Sequence, residues 1–456
     1  MKLVNLKIVA LHGHYDYNVD FNSDVTFIYG ENGCGKTTIL NILEIITTGR
    51  LFKLFDYNFN TIILTYAPGN KLNETRRIEV SQTNTLLKIV FNGKPHEIRA
   101  RYDERTRFRD RRDTELEDIY FHENSFLIEI RHTFNHVYLP LNRVTKVSSF
   151  RNKYAYAEDP SISRISLESD LGTSDRDMLQ IEWLVRNRYA EIMSSISRIN
   201  DQFRNDIMKS LLDVNQTYNF EDIISDYNKN QENLSMLQKT KTSYIKILQE
   251  LGILSSDESN DYNAFFDGLI NEFKEFASVP KNDRILNILF KWQEVLKIKK
   301  LVSIVENMEA EKADVRKPIE LFIRTINDFI GATDDGKTIN IDNRGLISFS
   351  TKIDSKPVSI QYLSSGEKQI VTFFAYLMFM VKRNKFGIFV VDEPELSLHL
   401  SWQNIFVQKT LQVNDKIQLI FATHSPEFVG HYRNKMFRLE RNFTDERNRK
   451  SNGRIE

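Results

Sequence analysis

Nine consecutive residues, Gly30-Glu31-Asn32-Gly33-Cys34-Gly35-Lys36-Thr37-Thr38, stand between an apolar run, VTFIY, and a segment of helical periodicity, TTILNILEII. Glycines at 30, 33 and 35 allow backbone amides to converge on one point, and the helix that opens at the end of the loop adds its positive terminus. Lys36 is then placed to reach the outer two phosphates of a nucleotide, and the Thr37 hydroxyl to meet a magnesium ion. Asn32 and Thr38 complete the cradle. A chance glycine-rich turn would have the glycines without the flanking strand and helix. Cys34, inside this loop, reads either as a small tolerated residue or as a redox-sensitive thiol.

A second cluster ends an apolar run, FGIFVV, with Asp392-Glu393-Pro394. A strand covered on both faces reads as such a run, and ligands of parallel sheets bind at strand carboxyl ends. Asp392 is thereby expected to share the magnesium ion with Thr37, and Glu393 to polarise the attacking water. An acidic strand end facing solvent is the bland alternative. Two further segments carry polar residues at element boundaries: Leu363-Ser364-Ser365-Gly366-Glu367-Lys368-Gln369, before an apolar helix, and Ala422-Thr423-His424-Ser425-Pro426, after the apolar run IQLIFA. The first suits a helix cap with free amides at a positive dipole end.

In this order, GENGCGKTT, LSSGEKQ, DEP and ATHSP resemble the motif series of ABC-type ATPases. The resemblance implies ATP and Mg2+ as ligands and a homodimer in which each nucleotide is clamped between two subunits. It also implies that Ser364, Ser365, Gly366 and Glu367 serve the partner's nucleotide in trans, and that His424 is the switch residue that touches the γ-phosphate and the water. DEPELSLH, with His399 where transporters place aspartate, resembles the overcoming-lysogenisation-defect (OLD) ATPases and their RecF and chromosome-maintenance relatives. The chain runs 32 residues past His424, too few for the TOPRIM nuclease domain of OLD nucleases, so any nuclease is expected to be a separate protein. The layout resembles the ATPase subunits of two-gene anti-phage systems, the AriA type of PARIS first and the PtuA type of Septu next. That likeness implies a higher homo-oligomer, a nuclease subunit encoded nearby and a phage-encoded trigger protein. The competing reading is a DNA-repair ATPase of RecF or SMC kind that binds nucleic acid; a membrane-transport motor is disfavoured by the separation of more than 300 residues between Gly30 and Leu363.

These motifs need an α/β scaffold. Residues 1–174 carry short runs rich in β-branched and aromatic residues, such as TIILTYA, RRIEV, TLLKIVF and HVYLPL. From 175 to 330 apolar residues fall three and four apart. Ile192, Ile196, Ile199 and Phe203 make one stripe, and Leu234, Leu237, Tyr244, Leu248 and Leu251 make another, broken by Lys241. This predicts a helical or coiled-coil insertion with a hairpin tip within residues 251–263. Its seam, with Phe265, Phe266, Phe273 and Phe276, is expected either to pack on itself or to build assemblies beyond a dimer. Residues 331–456 return to strands and carry the last three motifs. The predicted fold is an ABC-type P-loop ATPase head, with a mixed and antiparallel sheet lobe and a helical lobe, interrupted by the insertion.

Tyr15 and Tyr17 are candidates for stacking on adenine or simply strand residues. A Q-loop glutamine has no obvious place; Asn142 and Arg143 stand where that contact is expected. Residues 99–112 hold seven arginines among acids, a solvated face or a contact for nucleic acid or an acidic trigger. Lysine plus arginine and aspartate plus glutamate number 62 each, so net charge attracts no polyanion or membrane surface. One cysteine excludes an internal disulfide framework and a cysteine-based zinc site. No apolar run is long enough to cross a bilayer, and a cytoplasmic location is expected.

Overall fold

A computed structural model describes residues 1–69, 71, 73–83, 85–100, 112–139, 173–212, 230–250, 262–268, 270–271, 282–331, 336–380, 386–396 and 398–443. Asn142, Arg143, most of the arginine run and nearly all of the expected hairpin tip lie outside the described residues.

The glycine-rich loop begins where β3 (Val25–Tyr29) ends and α1 (Lys36–Thr47) starts. β3 belongs to a parallel sheet of five strands, with β8 (His136–Leu139), β12 (Gly387–Asp392), β13 (Ile417–Ala422) and β14 (Met436–Arg438), in the order β14-β3-β13-β12-β8. All six residues of β12 and of β13 are buried. That is why both read as unbroken apolar runs: a strand covered on both faces has no polar alternate.

A second sheet is antiparallel. β1 (Lys2–Leu11), β2 (Tyr15–Asp20), β4 (Thr61–Ala67), β5 (Arg76–Thr83), β6 (Leu86–Phe91), β7 (Lys94–Arg99) and β15 (Asn442–Phe443) pair in the order β15-β2-β1-β4-β5-β6-β7. Its inward residues, among them Leu6, Ile8, Ile62 and Leu64, share one core with Ile39, Ile42, Leu43 and Ile46 of α1 and with Ile388, Val390 and Ile420 of the parallel sheet. α2 (Arg112–Glu123) and α3 (Ser125–Thr133) close it from the side with Tyr120, Phe121, Phe126 and Leu127. One polar residue ties the two sheets. Gln418, fully buried, accepts from Leu3 N at 2.7 Å and donates to the Leu3 and Asn22 carbonyls at 2.8 Å each.

Three long helices follow: α4 (Thr173–Leu212), α5 (Asn230–Glu250) and α6 (Asn282–Ile330). The chain divides into two compact units, residues 1–188 with 320–456, and residues 189–319. The division falls inside α4 and α6, where the sequence suggests limits at 175 and 330. Residues on the head side of each cut belong to the head core: Met178, Ile181 and Val185 are buried, and Phe329 meets Phe374 at a tilt and Trp402 and Phe406 edge to face. Pro318, which withholds one helical amide, stands beside the second cut.

In the second unit, Tyr244 of α5 meets Tyr262 and the fully buried Phe266. Lys241 forms an ion pair with Asp267 at 2.7 Å, and Ser243 donates to Glu306 at 3.1 Å. Among the described residues the insertion thus packs α5 on residues 262–268 and α6 within one chain, and the apparent break at Lys241 is an ion-pair position. The side chains of Leu234, Leu237, Leu251, Phe273 and Phe276 lie outside the described residues.

In the head, β9 (Thr338–Ile341), β10 (Ile347–Ser350) and β11 (Val358–Ser359) form a small antiparallel sheet that leads into α7 (Ser365–Ala375). α8 (Leu400–Val413) connects β12 to β13, and the single turn α9 (Pro426–Val429) follows β13.

Candidate active site

The loop between β3 and α1 has the conformation its glycines permit. Gly33 has φ +78° and Gly35 φ +106°, a region closed to residues with a Cβ except at a cost. A Cβ at Gly35 would also meet the Tyr17 hydroxyl at 2.9 Å, and one at Gly30 the Leu439 carbonyl at 2.8 Å. The sequence requires all three. Lys36 is buried, and its Nζ donates to the carbonyls of Gly30 at 3.0 Å and Glu31 at 3.3 Å, so its charge lies over the loop. Glu31, Asn32 and Gly33 are exposed along the rim.

The parallel register of β3, β13 and β12 brings three strand ends together. There Thr37 Oγ1 donates to Asp392 Oδ2 at 2.8 Å, a pairing across 355 residues of chain. Asp392 is nearly buried, and loss of solvent is the main cause that pushes its carboxyl above the usual range; Glu393 and Glu395 add to that, while the Thr37 hydrogen bond and Lys36 oppose it. Glu393 has φ +47°, an uncommon conformation for a non-glycine residue, with its amide donating to the Ala422 carbonyl at 2.8 Å. Its Oε1 lies 3.9 Å from His424 Nε2, with both side chains about one-third exposed. A hydroxyl, a buried carboxylate, an accessible carboxylate and an imidazole therefore border the glycine-rich loop.

The segment 364–367 is built differently from its neighbours. Ser364 caps α7 by accepting from Glu367 N, and the Glu367 carboxylate accepts from Ser364 N at 2.8 Å, a reciprocal capping box. Glu367 is also paired with Lys337 at 3.1 Å and only 4% exposed. Both contacts engage the same carboxylate oxygen, Oε2, so the capping box and the ion pair hold one oxygen of Glu367 within its own subunit. Ser364 and Ser365 are exposed, and Gly366 is buried. Among the described residues no hydrogen bond or ion pair joins 364–367 to the loop 30–38.

Tyr17 is 4% exposed and donates to the Cys34 carbonyl at 3.0 Å, so it buttresses the loop and offers no open face. Tyr15 is only half-buried, with the Arg441 guanidinium 4.9 Å above its ring and Phe443 5.6 Å away. Cys34 is buried among the core residues, which favours the filler role. His399 caps α8 by accepting from Ser401 N. Behind the site, His136 Nδ1 pairs with Thr47 Oγ1 at 3.0 Å; its buried Nε2 and the nearby Arg50 charge hold its pKa down at about 3.

Three residues here went unassigned in the sequence. Glu395 binds the 423–425 segment, Gln369 donates to the Pro394 carbonyl at 2.6 Å, and Arg441 reaches the loop rim because β15 pairs with β2. Glu395 had a signal, a second acid two residues past Glu393. Arg441 had none.

The model of the AAA ATPase domain family matches residues 1–429. The chain belongs to that family. The family is one of ATPase domains, and the architecture that carries the site is mixed α/β, with parallel and antiparallel sheets and a helical insertion. Among similar proteins is a retron Vc95 probable ATPase of Vibrio cholerae, 28% identical over 194 residues, 37% of this chain and 36% of that one. The DNA replication and repair protein RecF of Acinetobacter baumannii is 47% identical over 49 residues, 11% of each chain. The ATPase thus spans only about a third and a tenth of the lengths of these relatives. Among solved structures, the Smc head domain with an extended coiled coil bound to the C-terminal domain of ScpA, from Pyrococcus furiosus, aligns over 94% of this chain and 91% of its own at 12% identity, with a TM-score of 0.37. The Smc head domain with a coiled coil and joint from Pyrococcus yayanosii gives 13% identity and 0.34 over 94% and 93%. No described helix is long and apolar enough to cross a membrane.

Proposed function

We propose that the constellation at the strand ends binds Mg2+-ATP and hydrolyses it in composite sites of a homodimer. The observation that carries this is the 2.8 Å contact of Thr37 with the nearly buried Asp392, beside the Glu393–His424 pair. The donor set fits a hard divalent cation, since a hydroxyl and a carboxylate oxygen converge at one point. Thr37 and Asp392 would hold Mg2+, which supplies charge neutralisation of the phosphate oxygens when bound. The amides of Asn32 to Thr38 and Lys36 position the β- and γ-phosphates. Glu393 accepts a proton from water as its oxygen attacks the γ-phosphorus; the bond to the β-phosphate oxygen breaks, and ADP leaves. His424 hydrogen-bonds the γ-phosphate. In the dimer, Ser364, Ser365 and Gly366 of one subunit face the nucleotide of the other. The exposure of Ser364 and Ser365 supports this, as does Tyr362, 77% exposed just before them.

The test mixes subunits. A Ser364→Arg chain and a Lys36→Ala chain, each inactive alone, should together recover up to about half-site turnover in mixed dimers. No recovery in dimers shown to be mixed would mean that the site is complete within one chain or that both sites must fire together.

For the biological setting we propose a sensor and scaffold subunit of a cytoplasmic anti-phage complex, of the PARIS or Septu kind within the OLD-like group, acting on a separate nuclease encoded nearby. The motif series supports it. Protection against phage that needs both genes, and fails with Lys36→Ala, is the expected outcome; protection independent of the ATPase overturns it. The match to RecF favours one alternative, a DNA-repair ATPase. It predicts ATP-dependent affinity for duplex DNA that falls steeply with salt.

A further inference from the structure

Glu395 sits two residues past Glu393, on the turn that leaves β12, and the histidine segment leaves the neighbouring strand β13. Its Oε1 accepts three hydrogen bonds from that segment: from Thr423 Oγ1 at 2.8 Å, His424 N at 2.7 Å and Ser425 N at 3.2 Å. Its other oxygen, Oε2, is buried without a hydrogen-bond partner among the described residues. The same turn is held from the other side, where Gln369 of α7 donates to the Pro394 carbonyl at 2.6 Å. Ser425 is fixed in addition by Gln403, whose Oε1 accepts from Ser425 Oγ at 2.8 Å.

Among the described residues the His424 imidazole has no comparable anchor: the one ion-pair partner it meets there is Glu393 at 3.9 Å, beyond hydrogen-bond distance, and its side chain is about one-third exposed. The direction in which it projects is therefore set by its backbone, and the one contact that engages residues 423, 424 and 425 together is a single carboxylate oxygen of Glu395. A buried, idle Oε2 costs stability, so a purely structural role is a poor reason for a glutamate here. We propose that Glu395 is a positioning residue for hydrolysis: it locks residues 423–425 so that His424 meets the γ-phosphate and water from a fixed direction. Through Pro394 and Gln369 it also joins the histidine segment to the start of α7, the helix whose exposed serines are assigned above to the partner's nucleotide. The proposal rests on the switch role given to His424.

The test uses the full chain with Glu395→Ala, Glu395→Gln, His424→Ala and the Glu395→Ala/His424→Ala double variant. Each is measured for kcat, KM, affinity for a fluorescent ATP analogue and thermal midpoint. Glu395→Ala should lower kcat roughly 10- to 100-fold, the usual effect of removing a group that orients a reacting one, with KM and analogue affinity within about twofold of wild type. Glu395→Gln, which keeps a neutral acceptor, should fall between the two and melt no lower than wild type. The double variant should match His424→Ala, because a residue acting through His424 has nothing left to position. Multiplicative losses in the double variant, a kcat of Glu395→Ala near wild type, or affinity falling in step with kcat would each overturn the proposal. Should Glu395→Ala not fold, wild-type kcat in Glu395→Gln overturns it. Wild-type turnover in His424→Ala sinks the switch role and this proposal with it, an outcome distinct from an inactive His424→Ala beside an active Glu395→Ala.

Discussion

Gly35→Ala separates the two reasons that the phosphate loop needs a glycine at that point. With φ +106° the residue lies where a Cβ is strained whatever the space, a cost of about 1–3 kcal/mol. The new methyl would in addition stand 2.9 Å from the Tyr17 hydroxyl, which must move off the Cys34 carbonyl it now donates to at 3.0 Å. Losing that buried bond costs about 1 kcal/mol more. The sum is roughly 2–4 kcal/mol, and it falls on a loop whose amides must all point one way. Tyr17→Phe alone should cost about 1 kcal/mol, because it deletes the bond and relieves the crowding. In that background Gly35→Ala should cost only the backbone share, so the pair should fall short of additivity by about 1 kcal/mol. Urea unfolding of the four proteins gives the energies, and fluorescent-nucleotide titration the binding. Affinity should be lost with Gly35→Ala in both backgrounds and kept with Tyr17→Phe. Full additivity would show that Tyr17 does not set the space at Gly35, and unchanged stability and affinity in Gly35→Ala would refute the loop geometry.

Asp392→Asn should raise the melting temperature of the nucleotide-free protein at neutral pH while abolishing metal-dependent ATP binding. Because burial raises the folded-state pKa of Asp392, the charged form is the costly one: its favourable contribution is complete at low pH and lost as pH rises through the raised value. The advantage of the asparagine should therefore vanish in acid. His136 has the opposite sign, with a folded pKa of about 3, so it should draw stability down as pH falls below its ordinary value of about 6.5. His136→Asn should flatten that limb in a pH series of thermal melts. Gln418→Leu, which strands the Leu3 amide and carbonyl and the Asn22 carbonyl, should cost roughly 3 kcal/mol in urea unfolding.

Legibility in the sequence followed the range of the interaction that forms each feature. β12 and β13 announce themselves because burial on both faces leaves only apolar residues, and the glycines of the loop because no other residue holds their φ values. Ser364 and Glu367 form a local capping box, readable from their spacing; that Glu367 is also buried against Lys337 depends on a residue 30 positions away. β7, with lysine, histidine and arginine in KPHEIR, lacks a strand composition and exists because β6 pairs with it. β15 is two residues long and owes its place to β2, and with it Arg441 comes to the nucleotide loop. Lys241 looked like a fault in a heptad, and is an ion-pair position whose partner, Asp267, comes from another segment. Glu395 was visible as an acid but not as an acceptor, since its donors come from the segment that follows β13, 28 to 30 residues further on.

ATP turnover by Glu393→Gln, measured alongside ATP binding, tests the central assignment most directly. The amide keeps the shape of the side chain and its approach to His424 but cannot take a proton from water. The site described here predicts ATP affinity near that of wild type and turnover close to nil, with the bound nucleotide recovered as ATP. Turnover within about threefold of wild type would show that another group accepts the proton, and that the meeting of Glu393 with His424 at the strand ends is not the catalytic centre.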